Sequence, residues 1–318
     1  MTPDSRQALL VVVGPTAAGK TDLAVRLARA VDGEVVSADS MQVYRLFDVG
    51  TAKPTEVERR GVRHHLIDVV DPDEQFSAAR FVELADEAIR QIQQRGRRAV
   101  VAGGTGLYIK ALLHGLFEAP APVPSIRQRH QQIRETQGVA QLHAMLRRVD
   151  PRAAARINEG DFVRISRALE VYEQLGRPIS ELHADHRFAG QRHAAVQLAV
   201  SPERVALRGR IDRRVDAMMR QGWLDEVRDL IARGHGASPP MGALGYRHLR
   251  AHLQGELDLE QAVRQTKRDT WRFAKRQLNW FRADRTVSWF AAAREIALAW
   301  VAEHLQRADR GDSCGTDP

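Results

Sequence analysis

The stretch ALLVVVGPTAAGKT, residues 8–21, decides the fold. Its first part, Ala8 to Val13, is a continuous apolar run, the pattern of a parallel strand buried on both faces. Its second part, Gly14-Pro15-Thr16-Ala17-Ala18-Gly19-Lys20-Thr21, matches G-x-x-x-x-G-K-[ST]. Leu23, Leu27, Ala28 and Val31 then share one side of a helix over 21–31. Strand, glycine loop and helix in this order make a phosphate loop. The glycines let the backbone curl until its N–H groups point into one cavity, and the helix adds its positive dipole end. Lys20 would neutralise phosphate oxygens, and Thr21 would offer a hydroxyl to Mg²⁺. A plain structural turn accounts for the glycines but not for Lys20-Thr21. The motif says that a diphosphate is held, as in nucleotide-binding (ATP-binding) proteins, and not which bond breaks. A GTPase is disfavoured: Asn158 and Asn279 are the only asparagines, so there is no Asn-Lys-x-Asp guanine motif.

Outward from the loop the rhythm repeats. EVVSA (34–38) and RAVVA (98–102) read as strands, with a weaker strand over 65–70. A helix is expected over 77–95, capped by Ser77, and another from Leu107 to Leu113. Alternating strand and helix predict an α/β protein, a doubly wound parallel sheet. APAPVP (119–124) breaks the pattern, and 125–186 is helix-rich without a strong strand. VQLAV (196–200) returns to the sheet, and Ser201-Pro202 is expected to cap the long helix that follows. From Asp225 the chain reads as mostly helical. The domains expected are a core over 7–120 and 195–305, a helical insertion over 121–194, and a disordered tail over 306–318.

Composition narrows the function. The chain has 318 residues, of which 43% are hydrophobic and 28% charged, so a folded protein of one or two domains is expected. No apolar run approaches the ~18 residues of a membrane span, and no signal peptide is visible at the amino terminus. The single cysteine, Cys314, excludes a disulfide framework and a cysteine zinc site, and it fits a reducing cytoplasm. Net charge is +8, with 48 basic and 40 acidic residues. Between Ser201 and Arg282 there are 17 basic and 10 acidic residues, so nearly all the surplus lies in the last third. A polyanion partner is expected to dock there.

Two further strand ends carry polar chemistry. Asp39, in SADSMQVY (37–44), would face the phosphate loop, where it would bind Mg²⁺ through water or accept a proton; an Asx turn is the plainer reading. In GGTGLY (103–108) the paired glycines allow close approach, and Thr105 would bond a phosphate or leaving-group oxygen; a simple strand-to-helix turn is the plainer reading. The helix RQTKRDTWRFAKRQLNWFR (264–282) splits into two faces. One carries Arg264, Lys267, Arg268, Trp271, Lys275, Leu278 and Arg282; the other carries Val263, Phe273, Trp280 and Phe281 and is expected to bury. The basic face suits a phosphate backbone with Trp271 free to stack, although local packing explains Trp271 equally well. Arg210 and Arg214 lie one helical turn apart. They would clamp a diphosphate or pair with Asp212 and Asp216.

These residues and the motifs around them resemble the tRNA dimethylallyltransferase (isopentenyl-tRNA transferase) family over roughly 9–290. The markers run in order: GPTAAGKT, SADSMQVY, DVGTAKP (48–54), HHLID (64–68), GGTGLY, VRISRALEVY (163–172), GALGYR (242–247) and KRQLNWFR (275–282). The resemblance implies transfer of a dimethylallyl group from dimethylallyl diphosphate to the exocyclic amine of an adenosine beside the anticodon of tRNA. It implies that the loop Gly14, Pro15, Thr16, Ala17, Ala18, Gly19, Lys20, Thr21 holds the prenyl diphosphate and hydrolyses no ATP. Asp39 resembles the family's general base, Thr105 its leaving-group partner and Arg210 another diphosphate contact, so these three are the catalytic candidates. Four segments resemble tRNA contacts: Asp39, Ser40, Met41 and Gln42; Val163, Arg164, Ile165, Ser166 and Arg167; Gly242, Ala243, Leu244, Gly245, Tyr246 and Arg247; and Lys275, Arg276, Gln277, Leu278, Asn279, Trp280, Phe281 and Arg282. Arg127 resembles a further contact. Mg²⁺ at Thr21, with Asp39, is the expected cofactor, and a cytoplasmic monomer is expected, with no membrane partner. Ala18 stands where many members carry serine, and the tail lacks the zinc finger of eukaryotic relatives, which implies a bacterial form. A P-loop small-molecule kinase and a non-enzymatic RNA-binding protein are the alternatives. The first leaves the basic third unused, the second Lys20-Thr21.

Overall fold

The computed structural model describes residues 7–117, 120–186 and 190–312. Strand β1 (Leu9–Val13) is buried along its whole length, as its uninterrupted aliphatic run requires of a central strand. It is followed by α1 (Lys20–Ala30), β2 (Gly33–Ala38), the short α2 (Glu56–Arg59) and β3 (His64–His65). Next come α3 (Ala78–Gln94), β4 (Arg98–Gly103) and α4 (Gly106–His114). The Ser77 side chain caps α3 by accepting from the Arg80 N–H. Helices α5 (Pro124–Gln137), α6 (Val139–Val149), α7 (Pro151–Ala154), α8 (Phe162–Leu175) and α9 (Ile179–His186) follow without a strand. The chain then re-enters the sheet as β5 (Ala195–Val200). The rest comprises α10 (Arg204–Arg220), α11 (Trp223–Ala232), α12 (Tyr246–Leu253), α13 (Leu259–Arg282), β6 (Val287–Phe290) and α14 (Leu298–Asp309).

The six strands are parallel and run in the order β3-β2-β4-β1-β5-β6. Apolar layers cover both faces. Leu9, Val11 and Val13 point to the side packed by α3 and α4, whereas Leu10 and Val12 point to the side packed by α1 and α14. The chain divides into two compact units, 1–113 with 192–318, and 114–191. The second has its own core, built on Leu142, Leu146, Ile165 and Leu169. Its limits fall a few residues before those expected from the proline run.

Three expectations need correction, and a fourth, the mostly helical region after Asp225, gains a strand. The weak strand over 65–70 shrinks to His64–His65, paired with β2, and its far end keeps an isolated Tyr44–Val70 bridge. Ser201 does not cap the long helix: Glu203 holds that position, without a side-chain cap bond. The region after Asp225 also contains β6, which extends the sheet beyond β5. Finally, α14 continues to Asp309, so the start of the expected disordered tail is helical: Asp309 accepts from the Ala8 N–H and pairs with Arg98. Cys314 lies outside the described residues. Among the described residues no helix is long and apolar enough to cross a membrane.

Candidate active site

The order of the sheet brings three loop starts to one edge. Strands β2, β4 and β1 are consecutive neighbours, with Ala38 opposite Gly103 and Val12 opposite Ala102. The phosphate loop, Asp39 and Thr105 therefore leave adjacent carboxyl ends, where open α/β sheets bind their ligands.

The loop is shaped as its sequence demands. Gly14 has φ +136°, and a Cβ there would lie 2.8 Å from the Val200 carbonyl oxygen. Gly19, at φ 94°, turns the chain into α1, so Lys20 and Thr21 open a helix whose first N–H groups lack intrahelical acceptors. The Lys20 ammonium folds back to donate to the Pro15 carbonyl at 2.7 Å. Burial and, after it, the nearby Arg214 guanidinium pull its pKa down, the Asp39 carboxylate opposes both, and the result is about 8. Thr21 is exposed.

At this edge opens a cavity of about 600 Å³. Thr16, Ala17, Asp39, Ser40 and Thr105 form its sheet side. Opposite stand Ile211, Arg214, Val215 and Met218 of α10, together with Trp223. The segment 242–247 and α13, through Arg272, Phe273, Arg276 and Gln277, complete the wall. It is a mixed lining, with cations from Arg214, Arg247, Arg272 and Arg276, carboxylates from Asp39 and Asp269, and an apolar stretch from Ile211, Val215 and Met218, suited to a ligand with an anionic head and a short hydrocarbon.

Asp39 does form the Asx turn. Its Oδ1 accepts from the Met41 N–H at 2.8 Å and the Gln42 N–H at 3.3 Å, while the carboxylate still lines the cavity. Its charge is felt by Lys20, Arg214 and Tyr108: burial pulls Arg214 down and pushes the Tyr108 phenol up, and Asp39 raises both. The Thr105 hydroxyl oxygen accepts from the Ser40 N–H at 3.1 Å, which leaves its proton to donate elsewhere. Both residues thus sit in their turns and line the cavity as well.

The arginine of the pair that reaches the cavity is Arg214, not Arg210. Ile211, Arg214, Val215 and Met218 recur at i, i+3, i+4 and i+7, one face of α10. Arg210 falls one residue before that face and is exposed. Asp216 pairs with Lys267 and with neither arginine.

The segments resembling tRNA contacts divide between surface and interior. Ser40 and Met41 line the cavity, while the Gln42 amide is engaged with Ser37 and with the Thr51 and Ala52 carbonyls. In the helical unit Val163 and Arg164 are exposed, but Ile165 is core and the buried Ser166 bonds His130 at 2.9 Å. Glu170, fully buried, holds both Arg127 and Arg167 in ion pairs, at 3.1 and 2.7 Å. In 242–247, Gly242, Ala243, Leu244, Tyr246 and Arg247 line the cavity. Tyr246 is interior, its hydroxyl donating to Glu226 at 2.6 Å. Gly245 (φ +85°) lies flat on the Trp223 ring, where a Cβ would come within 1.9 Å. On α13, Lys275, Arg276, Asn279, Trp280 and Arg282 are exposed, Leu278 is half-buried, and Gln277 and Phe281 point inward. One expectation for this helix is overturned: Trp280, expected to bury, is 46% exposed. Of the two readings of Trp271, the structure shows local packing, against Leu207, Ile211 and Ala274, with Arg204 and Lys275 over its ring.

Sequence reasoning missed Glu226 and Trp223. Glu226 accepts from the N–H groups of Asp48, Val49 and Gly50 at 2.8, 2.7 and 3.2 Å, tying the DVGTAKP loop to Tyr246. Lys53 of that loop is likewise internal, bonded to the Tyr44 carbonyl, Asp48 and Asp68. No local pattern announces the bonds of Glu226 to this loop, because they join segments more than 170 residues apart in the chain. Among the described residues there is no cluster of three or more His, Cys, Asp or Glu side chains able to hold a metal by itself.

The family model described as IPP transferase matches residues 42–284. The tRNA dimethylallyltransferase of Sorangium cellulosum is 51% identical over 282 residues, 89% of this chain and 90% of that protein. That of Geobacter metallireducens is 47% identical over 283 residues, 89% and 92% of the two chains. Among solved structures, the tRNA isopentenylpyrophosphate transferase of Bacillus halodurans is 39% identical, with a TM-score of 0.71 over 96% of this chain and 98% of that one. A eukaryotic dimethylallyltransferase acting on tRNA is 27% identical, with a TM-score of 0.71 over 95% and 77%.

Proposed function

Because the chain belongs to the IPP transferase family, we propose that it transfers a dimethylallyl group from dimethylallyl diphosphate to the exocyclic amine of the adenosine beside the anticodon in tRNA. The observation that carries this reading is that Thr16 and Ala17 of the phosphate loop, Arg214, Asp39 and Thr105 line one cavity, with Lys20 in electrostatic reach of Arg214 and Asp39, and that α10 adds apolar and α13 basic side chains to its wall. A kinase would use the loop but would leave the basic wall of α13 without a task.

The aromatic amine is a poor nucleophile, so the allylic C–O bond must be weakened as the C–N bond forms. Lys20, Arg214 and the N–H groups opening α1 would stabilise the charge that develops on the departing diphosphate. The Thr105 hydroxyl would donate to the same leaving group. The Asx turn holds Asp39 rigid. Its carboxylate would orient the amine and take the proton released when nitrogen bonds carbon. Diphosphate and one proton leave; no oxidant or nucleotide triphosphate is consumed.

The donor set fits Mg²⁺, which favours substrate phosphate oxygens, waters and one or two protein oxygens over a dedicated cage. Thr21 and Asp39 would hold it, and it would supply further neutralisation of the diphosphate. The exposed cations Lys275, Arg276 and Arg282 on α13, and Arg164 on the helical unit, would meet the tRNA backbone, with the protein cytoplasmic. The test mixes protein, unmodified tRNA, dimethylallyl diphosphate and Mg²⁺, and weighs the nucleosides after digestion. A gain of one dimethylallyl group on adenosine is expected; an unchanged nucleoside profile sinks the reading.

A further inference from the structure

Gln277 sits within the α13 segment that resembles a tRNA contact, yet its side chain faces the interior. It is 7% exposed, whereas Arg276 beside it is on the surface. Its amide is used at both ends. Oε1 accepts from the Thr16 N–H at 2.8 Å, and Nε2 donates to the Gly104 carbonyl at 2.9 Å. Thr16 belongs to the phosphate loop, and Gly104 directly precedes Thr105. Gly104 is fitted to the contact: a Cβ there would lie 2.2 Å from the Gln277 nitrogen.

The place of this bridge gives it meaning. Strands β1 and β4 are paired through Val12 and Ala102, and the two chains then part into their loops. Beyond that point the sheet no longer fixes the distance between them. Gln277 supplies a bond to each chain just past the strand ends, so one side chain continues the ladder where the backbone cannot. A primary amide carries an acceptor and a donor on one planar group, and so satisfies an N–H and a carbonyl together at any pH near neutral.

We propose that Gln277 is a positioning residue, which sets the phosphate loop and the Thr105 loop at the separation that a bound diphosphate requires. The inference rests on the transferase reading for its role in turnover, but not for its role in diphosphate binding. Gln277 touches no reacting atom. It acts through Thr16 and Gly104, and preorganises groups that would otherwise settle only after the ligand arrives.

The test uses the full chain with three substitutions. Gln277→Met keeps the length and removes both bonds. Gln277→Glu keeps the acceptor for Thr16 and loses the donor to Gly104 at neutral pH. Gly104→Ala pushes the amide away from the other side. Four quantities are read: the Kd of inorganic pyrophosphate with Mg²⁺ by calorimetry, kcat and KM for dimethylallyl diphosphate, the Kd of tRNA, and Tm. Gln277→Met and Gly104→Ala are expected to weaken pyrophosphate binding and raise KM by about tenfold, the effect of one net hydrogen bond, with the tRNA Kd within about twofold. For Gln277→Glu, turnover relative to wild type should climb as pH falls from about 8 to about 5.5, as the new carboxyl protonates and regains a donor. A merely structural residue would not give that profile. Normal pyrophosphate Kd and KM with a lowered Tm would reduce Gln277 to packing and overturn the proposal. So would a loss of tRNA affinity with pyrophosphate binding intact. If wild type binds pyrophosphate in a Gln277-dependent way but makes no prenylated nucleoside, the transferase reading fails and the positioning role stands.

Discussion

Lys20 and Arg214 lie within electrostatic reach of each other as like charges, and the guanidinium depresses the lysine. Burial and the guanidinium together bring its pKa to about 8, with Asp39 restraining the fall. The cavity thus stores an electrostatic strain that an anionic ligand relieves, a common condition of binding sites built before their ligand arrives.

Pyrophosphate affinity should therefore depend on pH in a defined sense. Below about 8 Lys20 is already charged, and binding needs no proton; above it, binding must take one up. Calorimetry in two buffers of different ionisation heat should show weaker binding and proton uptake at pH 9, and neither at pH 6.5. Stability moves the other way. The native pKa lies below the ordinary 10.5, so the unfolded chain binds more protons between the two values. The penalty is full below about 8 and fades as pH rises to 10.5. Lys20→Met should abolish pyrophosphate binding while raising stability at pH 7, by about 1 kcal/mol, in a denaturant titration.

At Asp39, two substitutions separate the turn from the chemistry. Asparagine keeps an oxygen for the Met41 and Gln42 N–H groups and loses the base; alanine loses both. Asp39→Asn should cut kcat by roughly 10²–10⁴ with Tm and tRNA Kd unchanged, and Asp39→Ala should lower Tm as well. An active Asp39→Asn enzyme would remove this carboxylate from the proton transfer.

The two arginines of α10 make a paired control. Arg214→Met should raise KM for dimethylallyl diphosphate by about tenfold or more, and Arg210→Met should leave it within about twofold. Steady-state kinetics decides, and the reverse order would return the role to Arg210.

Glu34 gives a prediction on stability alone. It is 1% exposed and holds Arg95 at 2.8 Å and His65 at 2.6 Å. Burial pushes its carboxyl up, but the bonds from Arg95 and His65 outweigh that and hold it at about 2. Its stabilising contribution is full above the ordinary 4.5 and is lost as pH falls towards 2. Glu34→Ala should cost about 3 kcal/mol at pH 7 by denaturant unfolding, because the cations around it are stranded. The gap from wild type should narrow below pH 4.

What the sequence disclosed was local. The strand-loop-helix of residues 8–31, the cap at Ser77 and the positions of Asp39 and Thr105 all follow from short-range spacing, and the structure brings Asp39 and Thr105 to one cavity with the phosphate loop. What it withheld was direction. A motif such as VRISR or GALGYR is one string, but a helix turns each successive side chain by about 100°. Ile165, Ser166 and Tyr246 thus went inside while Val163, Arg164 and Arg247 stayed out. Strand β6 was hidden because four residues after a long helix carry too little pattern to be heard. Glu34 and Glu226, charged residues that the rules of composition place outside, are held by partners that only folding brings near.

The Trp223 indole sits between two loops that are distant in sequence. An added Cβ would lie 2.0 Å from it at Gly50 and 1.9 Å from it at Gly245. One ring therefore forbids side chains at two places, and at neither is it alone: the Tyr246 ring would lie 2.6 Å from a Cβ at Gly50, and the backbone at Gly245, at φ +85°, itself favours glycine. In descendants of this chain both glycines should persist even where position 223 shrinks, and bulk at either would evict the wall of the cavity.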